Sequence, residues 1–113
     1  MSGILGEIVL YKREFVKRSK KRLPQRELEN LARAADKPRG FARALGGKGC
    51  ALVAEIKTAS PSRGLIGAGV RIDAVARMYE ENGASCISVL TDERYFGGSL
   101  ERFRVVRGIT TIP

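Results

Sequence analysis

Apolar residues open the chain at spacings of three and four: Ile4, Ile8, Tyr11 and Phe15, with Leu5 and Val16 beside them. That period predicts an amphipathic helix ending near Ser19. Pro24 stands where a proline is tolerated, in the first turn of a second helix. Leu28, Leu31, Ala32 and Ala35 continue it, and Lys37-Pro38-Arg39-Gly40 stops it. Phe41, Ala42, Ala44 and Leu45 form a short apolar patch before Gly46-Gly47-Lys48-Gly49. This glycine run lacks the spacing and the Lys-Ser/Thr ending of a phosphate-binding P-loop, so it reads as a turn.

From Cys50 the pattern changes. Ala51-Leu52-Val53-Ala54-Glu55-Ile56 predicts a strand, apolar except near its C-terminal end, and Ser60-Pro61-Ser62-Arg63-Gly64 a loop. A helix is expected from Ile72 to Asn82, with Val75, Ala76, Met78 and Tyr79 as its apolar stripe and Asn82-Gly83 as its stop. Ser85-Cys86-Ile87-Ser88-Val89-Leu90 predicts a second buried strand, followed by a polar loop from Thr91 to Gly98. Ser99 can cap a helix running to about Arg107, and Thr111-Ile112-Pro113 has the look of an approach to a third strand. The two strands lie about 34 residues apart, a normal length for a right-handed βαβ crossover. Such units build parallel sheets covered by helices, either open or closed into a barrel. The expected organisation is a helical segment over residues 1–48 and an α/β segment over residues 49–113, without internal repeats.

Composition narrows the chemistry. The 113 residues are 43% hydrophobic and 29% charged, as in a soluble globular domain. No apolar run approaches the roughly 20 residues of a membrane span, and Met1-Ser2-Gly3-Ile4-Leu5-Gly6-Glu7 lacks the layout of a secretory signal. A cytoplasmic location is therefore expected. The chain has no histidine, which removes Ser-His-Asp and Cys-His catalysis from this stretch and leaves proton transfer to Lys, Glu, Asp or Tyr. Cys50 and Cys86 lie in apolar stretches, read as small buried hydrophobes, and cannot by themselves make a four-ligand zinc site.

The net charge of +9 invites a nucleic-acid reading. Its distribution qualifies that: residues 1–48 hold 13 Lys/Arg and 5 Asp/Glu, a net +8, and residues 49–113 hold 8 and 7, a net +1. The run Lys17-Arg18-Ser19-Lys20-Lys21-Arg22 could meet phosphates, but no aromatic interrupts it and no zinc-finger or RRM signature accompanies it. A solvated helix face beside a site for an anionic substrate is the preferred reading. A basic nucleic-acid-binding module using residues 12–26 is the alternative.

In α/β folds ligands bind at the C-terminal ends of the strands, and two polar clusters fall there. Glu55 and Lys57, two apart on a strand, point to the same side. A carboxylate and an ammonium are costly to bury unless paired or used, so the choice is between a plain ion pair and an aimed lysine that binds a carboxylate or phosphate. Ser60-Pro61-Ser62 adds small hydroxyls and a rigid turn. The second cluster is Thr91-Asp92-Glu93-Arg94-Tyr95-Phe96-Gly97-Gly98-Ser99, in which Phe96 either walls a ring-bearing substrate or packs into its own loop.

The stretch Leu52-Val53-Ala54-Glu55-Ile56-Lys57-Thr58-Ala59-Ser60-Pro61-Ser62-Arg63-Gly64-Leu65-Ile66 resembles the signature of indole-3-glycerol phosphate synthases, E-x-K followed by S-P-S. Ile87-Ser88-Val89-Leu90-Thr91-Asp92-Glu93 with Tyr95-Phe96-Gly97-Gly98-Ser99 is similar to that family's second strand and loop, in the same order. The N-terminal helices resemble the extension these enzymes place before their barrel. A different phosphate-binding barrel enzyme, of the same pathway or of histidine biosynthesis, would give no reason for the E-x-K…S-P-S stretch.

The resemblance implies a TIM (β/α)8 barrel, here the N-terminal helical extension, the first two βα units and the start of strand three. It implies ring closure and decarboxylation of 1-(2-carboxyphenylamino)-1-deoxyribulose 5-phosphate to indole-3-glycerol phosphate, carbon dioxide and water in tryptophan biosynthesis, with no metal or organic cofactor. Glu55 and Lys57 would be the catalytic residues, Lys57 holding the anionic substrate and polarising its carbonyl and Glu55 orienting the lysine. Ser60 would lie near the substrate carboxylate and Phe96 would pack on the aromatic ring. The basic segment would raise the local concentration of a doubly anionic substrate. The implied partners are a small phosphorylated substrate, no nucleic acid and no membrane, with room for association or fusion with other tryptophan-pathway enzymes. Since the family's main general acid, its base and its phosphate loops fall after Pro113, the 113 residues alone are expected to be an inactive part of the enzyme. Gly67-Ala68-Gly69-Val70-Arg71 is less acidic than the resemblance would suggest.

Overall fold

The computed structural model describes residues 3–67 and 69–113. The reading of the chain's start rests partly on Met1 and Ser2, and that of the loop after strand one partly on Ala68, which lie outside the described residues. The chain forms two compact units, Met1–Lys37 and Pro38–Pro113. The apolar patch at Phe41 lies within the second compact unit.

In the first unit, α1 spans Ile4–Arg22 and α2 spans Gln25–Ala34. The first helix runs beyond the expected end at Ser19, because Lys20, Lys21 and Arg22 favour helix and their charges suit its negative C-terminus. Leu23 then turns extended, as the residue before a proline should, and Pro24 leads into α2. No residue of α2 is buried; Leu28 and Leu31 are exposed.

The second unit begins with a short helix, α3 (Phe41–Leu45), where the sequence suggested only an apolar patch. Next come β1 (Val53–Ile56), β2 (Ala59–Ser60), β3 (Gly64–Leu65), α4 (Ile72–Glu81), β4 (Cys86–Val89), α5 (Glu93–Phe96) and α6 (Leu100–Ile109). Strands β1 and β4 pair in parallel, with Val53, Ala54, Glu55 and Ile56 opposite Cys86, Ile87, Ser88 and Val89. The expected βαβ crossover is therefore present. Strands β2 and β3 form a small antiparallel hairpin, so the expected loop from Ser60 to Gly64 is a hairpin turn between two paired residues.

One face of the parallel pair carries the core. Ile56 packs with Ala76 of α4 and Val106 of α6, and Ile72, Val75, Tyr79, Ile87, Val89 and Ile109 pack around them. Burying a side chain such as Ile or Val contributes about 1.5–3 kcal/mol, so this cluster is what holds both helices to the sheet. Met78, expected in the apolar stripe of α4, is instead exposed, because it lies one residue from Tyr79 and rotates off the packed face. Cys86 is fully buried as expected, but Cys50, expected in the strand, precedes it and is exposed. The expected polar loop after β4 contains the helical turn α5, whose Asp92 side chain accepts from Tyr95 N at 2.8 Å. Ser99 caps α6 as predicted, its hydroxyl accepting from Arg102 N at 3.1 Å, and the helix continues to Ile109.

The segment after α6 lies beside β4, where Ile87 N donates to Pro113 O at 2.9 Å. Two side chains hold it there. Arg39 donates to the carbonyls of Thr110, Ile112 and Arg107 at 2.6, 3.1 and 2.8 Å. The Glu80 carboxylate accepts from Thr111 N, Thr111 Oγ1 and Ile112 N at 2.7, 2.6 and 3.1 Å. Among the described residues, no helix is long and apolar enough to cross a membrane.

Candidate active site

The alternation of β1 decides where its polar residues go. Ala54 and Ile56 are buried toward α4 and α6, so Val53, Glu55 and, just past the strand end, Lys57 project to the opposite face. Lys57 Nζ stands 3.3 Å from Glu55 Oε1, with the two side chains 36% and 46% exposed. Both charges thus remain within reach of water and of a ligand. Ser88, the parallel partner of Glu55, donates to the other carboxylate oxygen at 3.2 Å. Glu55 is consequently held from two sides, and it in turn aims the lysine. The backbone is tied as well: Tyr79 of α4 donates its hydroxyl to Glu55 O at 3.2 Å.

Ser88 went unremarked in the sequence. Its signal was a hydroxyl in an otherwise apolar strand, which acquires meaning only once the register sets it against Glu55. A cavity of about 170 Å³ lies between the end of β1, the β3–α4 loop and α4 itself. Ile56, Ile72, Val75 and Tyr79 line it on the packed side of the sheet, and Glu55, Lys57 and Thr58 border it at the strand end.

Ser60 lies in β2, and its hydroxyl is already engaged: it stands 3.3 Å from Ser62 Oγ and accepts from Arg63 N at 3.2 Å. Those bonds fix the Ser-Pro-Ser turn. Phe96 ends α5 and is half-buried, and α5 lies against β2, so the elements bearing Ser60 and Phe96 adjoin. Among the described residues no hydrogen bond links Ser60 to Lys57.

The Gly-Gly step after Phe96 has a steric reason. At Gly98 a Cβ would stand 2.0 Å from Leu90 O and 2.6 Å from its carbonyl carbon, so the backbone of the loop passes directly over the end of β4. Gly97 takes the left-handed conformation, φ 61°, that ends α5.

At the head of α4, Arg71 grips Asp73 with two bonds of 3.2 and 2.7 Å, which hold the Asp73 carboxyl below its usual range. The hydroxyl and amide of Thr111, with smaller contributions from Ile112 N and the charge of Arg39, do the same for Glu80. Neither pair lines the strand-end cavity.

In the first unit, helical geometry changes the picture of the basic run. Tyr11 and Phe15, outside that run in sequence, share an open groove with Arg18, Lys21 and Arg22, and their ring centroids are 6.2 Å apart. Lys12 Nζ lies 5.5 and 4.6 Å from the two ring centroids.

A family model described as indole-3-glycerol phosphate synthase matches residues 5–113. The chain is 44% identical over 110 residues to the indole-3-glycerol phosphate synthase of Acinetobacter baumannii (strain SDF), covering 97% of this chain and 41% of that protein. It is 43% identical over 117 residues to a protein of the same name from Zymomonas mobilis subsp. pomaceae, covering 100% and 44%. A third, from Roseiflexus sp. (strain RS-1), is 43% identical over 110 residues, covering 96% and 41%. The chain spans about two fifths of the length of the curated relatives it matches.

Proposed function

The chain belongs to the indole-3-glycerol phosphate synthase family, and on that premise we propose that it supplies one side of a site that closes and decarboxylates 1-(2-carboxyphenylamino)-1-deoxyribulose 5-phosphate. The products are indole-3-glycerol phosphate, carbon dioxide and water, and no metal or organic cofactor takes part. The supporting observation is the Glu55–Lys57 pair, 3.3 Å apart at the C-terminal end of a parallel strand and on the face turned away from α4 and α6. In a (β/α)8 barrel that face is the interior and that end carries the chemistry.

Lys57 binds the anionic substrate and polarises the reacting carbonyl as negative charge develops on its oxygen. Glu55, itself braced by Ser88, keeps the ammonium aimed. Ser60 lies near the substrate carboxylate, and Phe96 packs on the aromatic ring. The positive charge of residues 1–48 draws in the doubly anionic substrate, an effect that added salt weakens. Residues 1–48 act as the helical extension and residues 49–113 as the opening of the barrel. The protein works in the cytoplasm without binding nucleic acid or membrane, alone or associated or fused with other enzymes of tryptophan biosynthesis.

Residues 1–113 by themselves are expected to give no turnover. Joined at the matching position to the downstream part of the Acinetobacter baumannii relative, they should form indole-3-glycerol phosphate. Lys57→Met should reduce that turnover at least a hundredfold with the fold retained. Undiminished turnover in the Lys57→Met protein would refute the reading. The aromatic and basic groove on α1 favours a second reading, binding of single-stranded RNA by stacking and charge. Salt-dependent RNA binding abolished by charge reversal at Lys20, Lys21 and Arg22 would support it.

A further inference from the structure

The two loops that carry the substrate contacts proposed above are tied together by one arginine from outside either loop. Arg102, in the first turn of α6, donates from Nη1 to Thr58 Oγ1 at 2.8 Å and, by a short bond, to Gly97 O. Thr58 Oγ1 donates to the same Gly97 carbonyl at 3.2 Å, closing a three-membered polar cluster. Thr58 directly follows Lys57, and Gly97 directly follows Phe96. The cluster therefore fastens the residue after the proposed catalytic lysine to the residue after the proposed aromatic wall.

Each corner is anchored in turn. Thr58 O accepts from Ile66 N at 2.7 Å, so the β2–β3 hairpin is part of the same assembly. Gly97 N donates to Glu93 O at 3.1 Å, and a Cβ at Gly97 would crowd Thr58 Oγ1 at 3.2 Å and Ala59 Cβ at 3.3 Å. Arg102 is set by the cap that Ser99 makes to its own amide. A helix-surface arginine ordinarily extends into water or meets a carboxylate. Here the part-buried guanidinium is spent on a hydroxyl and a carbonyl that are 44 and 5 residues away in the chain. Hydrogen bonds from an ionised donor are stronger than neutral ones, so the cation makes this tie firmer than a neutral side chain could.

We propose that Arg102 is a positioning residue that sets the distance between Lys57 and Phe96, acting through the backbone at Thr58 and Gly97 without touching the substrate. The proposal rests on the reading that those two residues meet the substrate, and its test is built to fail separately from that reading. Amide hydrogen exchange in the 113-residue chain reads the tie directly. Arg102→Met should speed exchange at Ile66 N and Gly97 N about tenfold or more, while Leu90 N, bonded to Ile56 O within the sheet, keeps its rate. Arg102→Lys should recover much of the protection, since both bonds leave one nitrogen. Unchanged exchange, or equal acceleration at Leu90, would overturn the tie.

In the joined barrel described above, Arg102→Met should lower kcat on the order of tenfold with KM changed less than about threefold, and Arg102→Lys should restore it. A kcat that stays at the wild-type value while the loop amides exchange faster would overturn the positioning role. If the wild-type joined barrel shows no turnover, the functional reading fails, and the exchange result still decides the tie.

Discussion

The two faces of the β1–β4 sheet obey different rules. On the face toward α4 and α6, Ala54, Ile56, Ala76 and Val106 are buried, and apolar side chains pack around them. On the other face, the same two strands present Glu55 with Lys57 and Ser88, partly open to water and joined by polar contacts. The first face is organised by removal of apolar surface from water. The second is organised by aimed charges at the C-terminal ends of its strands, while at the other end Cys86 is buried beside α3. This strand pair thus separates stability from chemistry within a single period of two residues.

Changes on the packed face should therefore cost the most. Ile56→Ala is expected to destabilise the second unit by about 2–4 kcal/mol, read from urea melts, because the helices leave little freedom to collapse onto the lost volume. A loss below about 1 kcal/mol would show that the packed face is not the main support.

At the rim between the faces, Gly98→Ala places a methyl against the Leu90 carbonyl and should cost about 1–3 kcal/mol, toward the upper end because backbone must move. A melt unchanged from wild type would mean that the loop crosses β4 elsewhere.

A smaller effect belongs to Glu80, which anchors the segment beside β4. Its carboxyl is depressed below the ordinary value of 4.5 in the folded chain, first through the Thr111 hydroxyl. The stability this supplies is fully present above the unfolded value and is lost as pH falls through the lower folded one. Wild type should consequently lose stability more steeply below about pH 4.5 than Glu80→Gln does. Parallel acid melts of the two proteins would contradict this.

On the open face, Lys57→Met should shift stability by no more than about 1 kcal/mol, since a half-exposed ion pair contributes little to folding. A larger destabilisation would mean that the pair serves the fold, and the separation of the two faces would fail.

Much of this was legible in the residues. Spacings of three and four placed α1, α2 and α4, Ser99 announced α6, and the apolar runs located β1 and β4. The errors share a cause. Met78 looked apolar enough for the stripe and Cys50 apolar enough for the strand, yet burial depends on which side of an element faces a neighbour. The helical turn α5 was hidden in a polar segment because its stability comes from one Asp92 cap and a close passage over β4, which composition does not reveal.

The spacing of Glu55 and Lys57 was enough to set them on one side of a strand, because alternation is a local property of extended backbone. That Ser88 braces the carboxylate, and that Arg102 joins Thr58 to Gly97, depended on contacts between residues 33, 44 and 5 apart. Such contacts follow from strand register and helix docking, which are settled by burial across the whole second unit and leave no periodic trace in the chain.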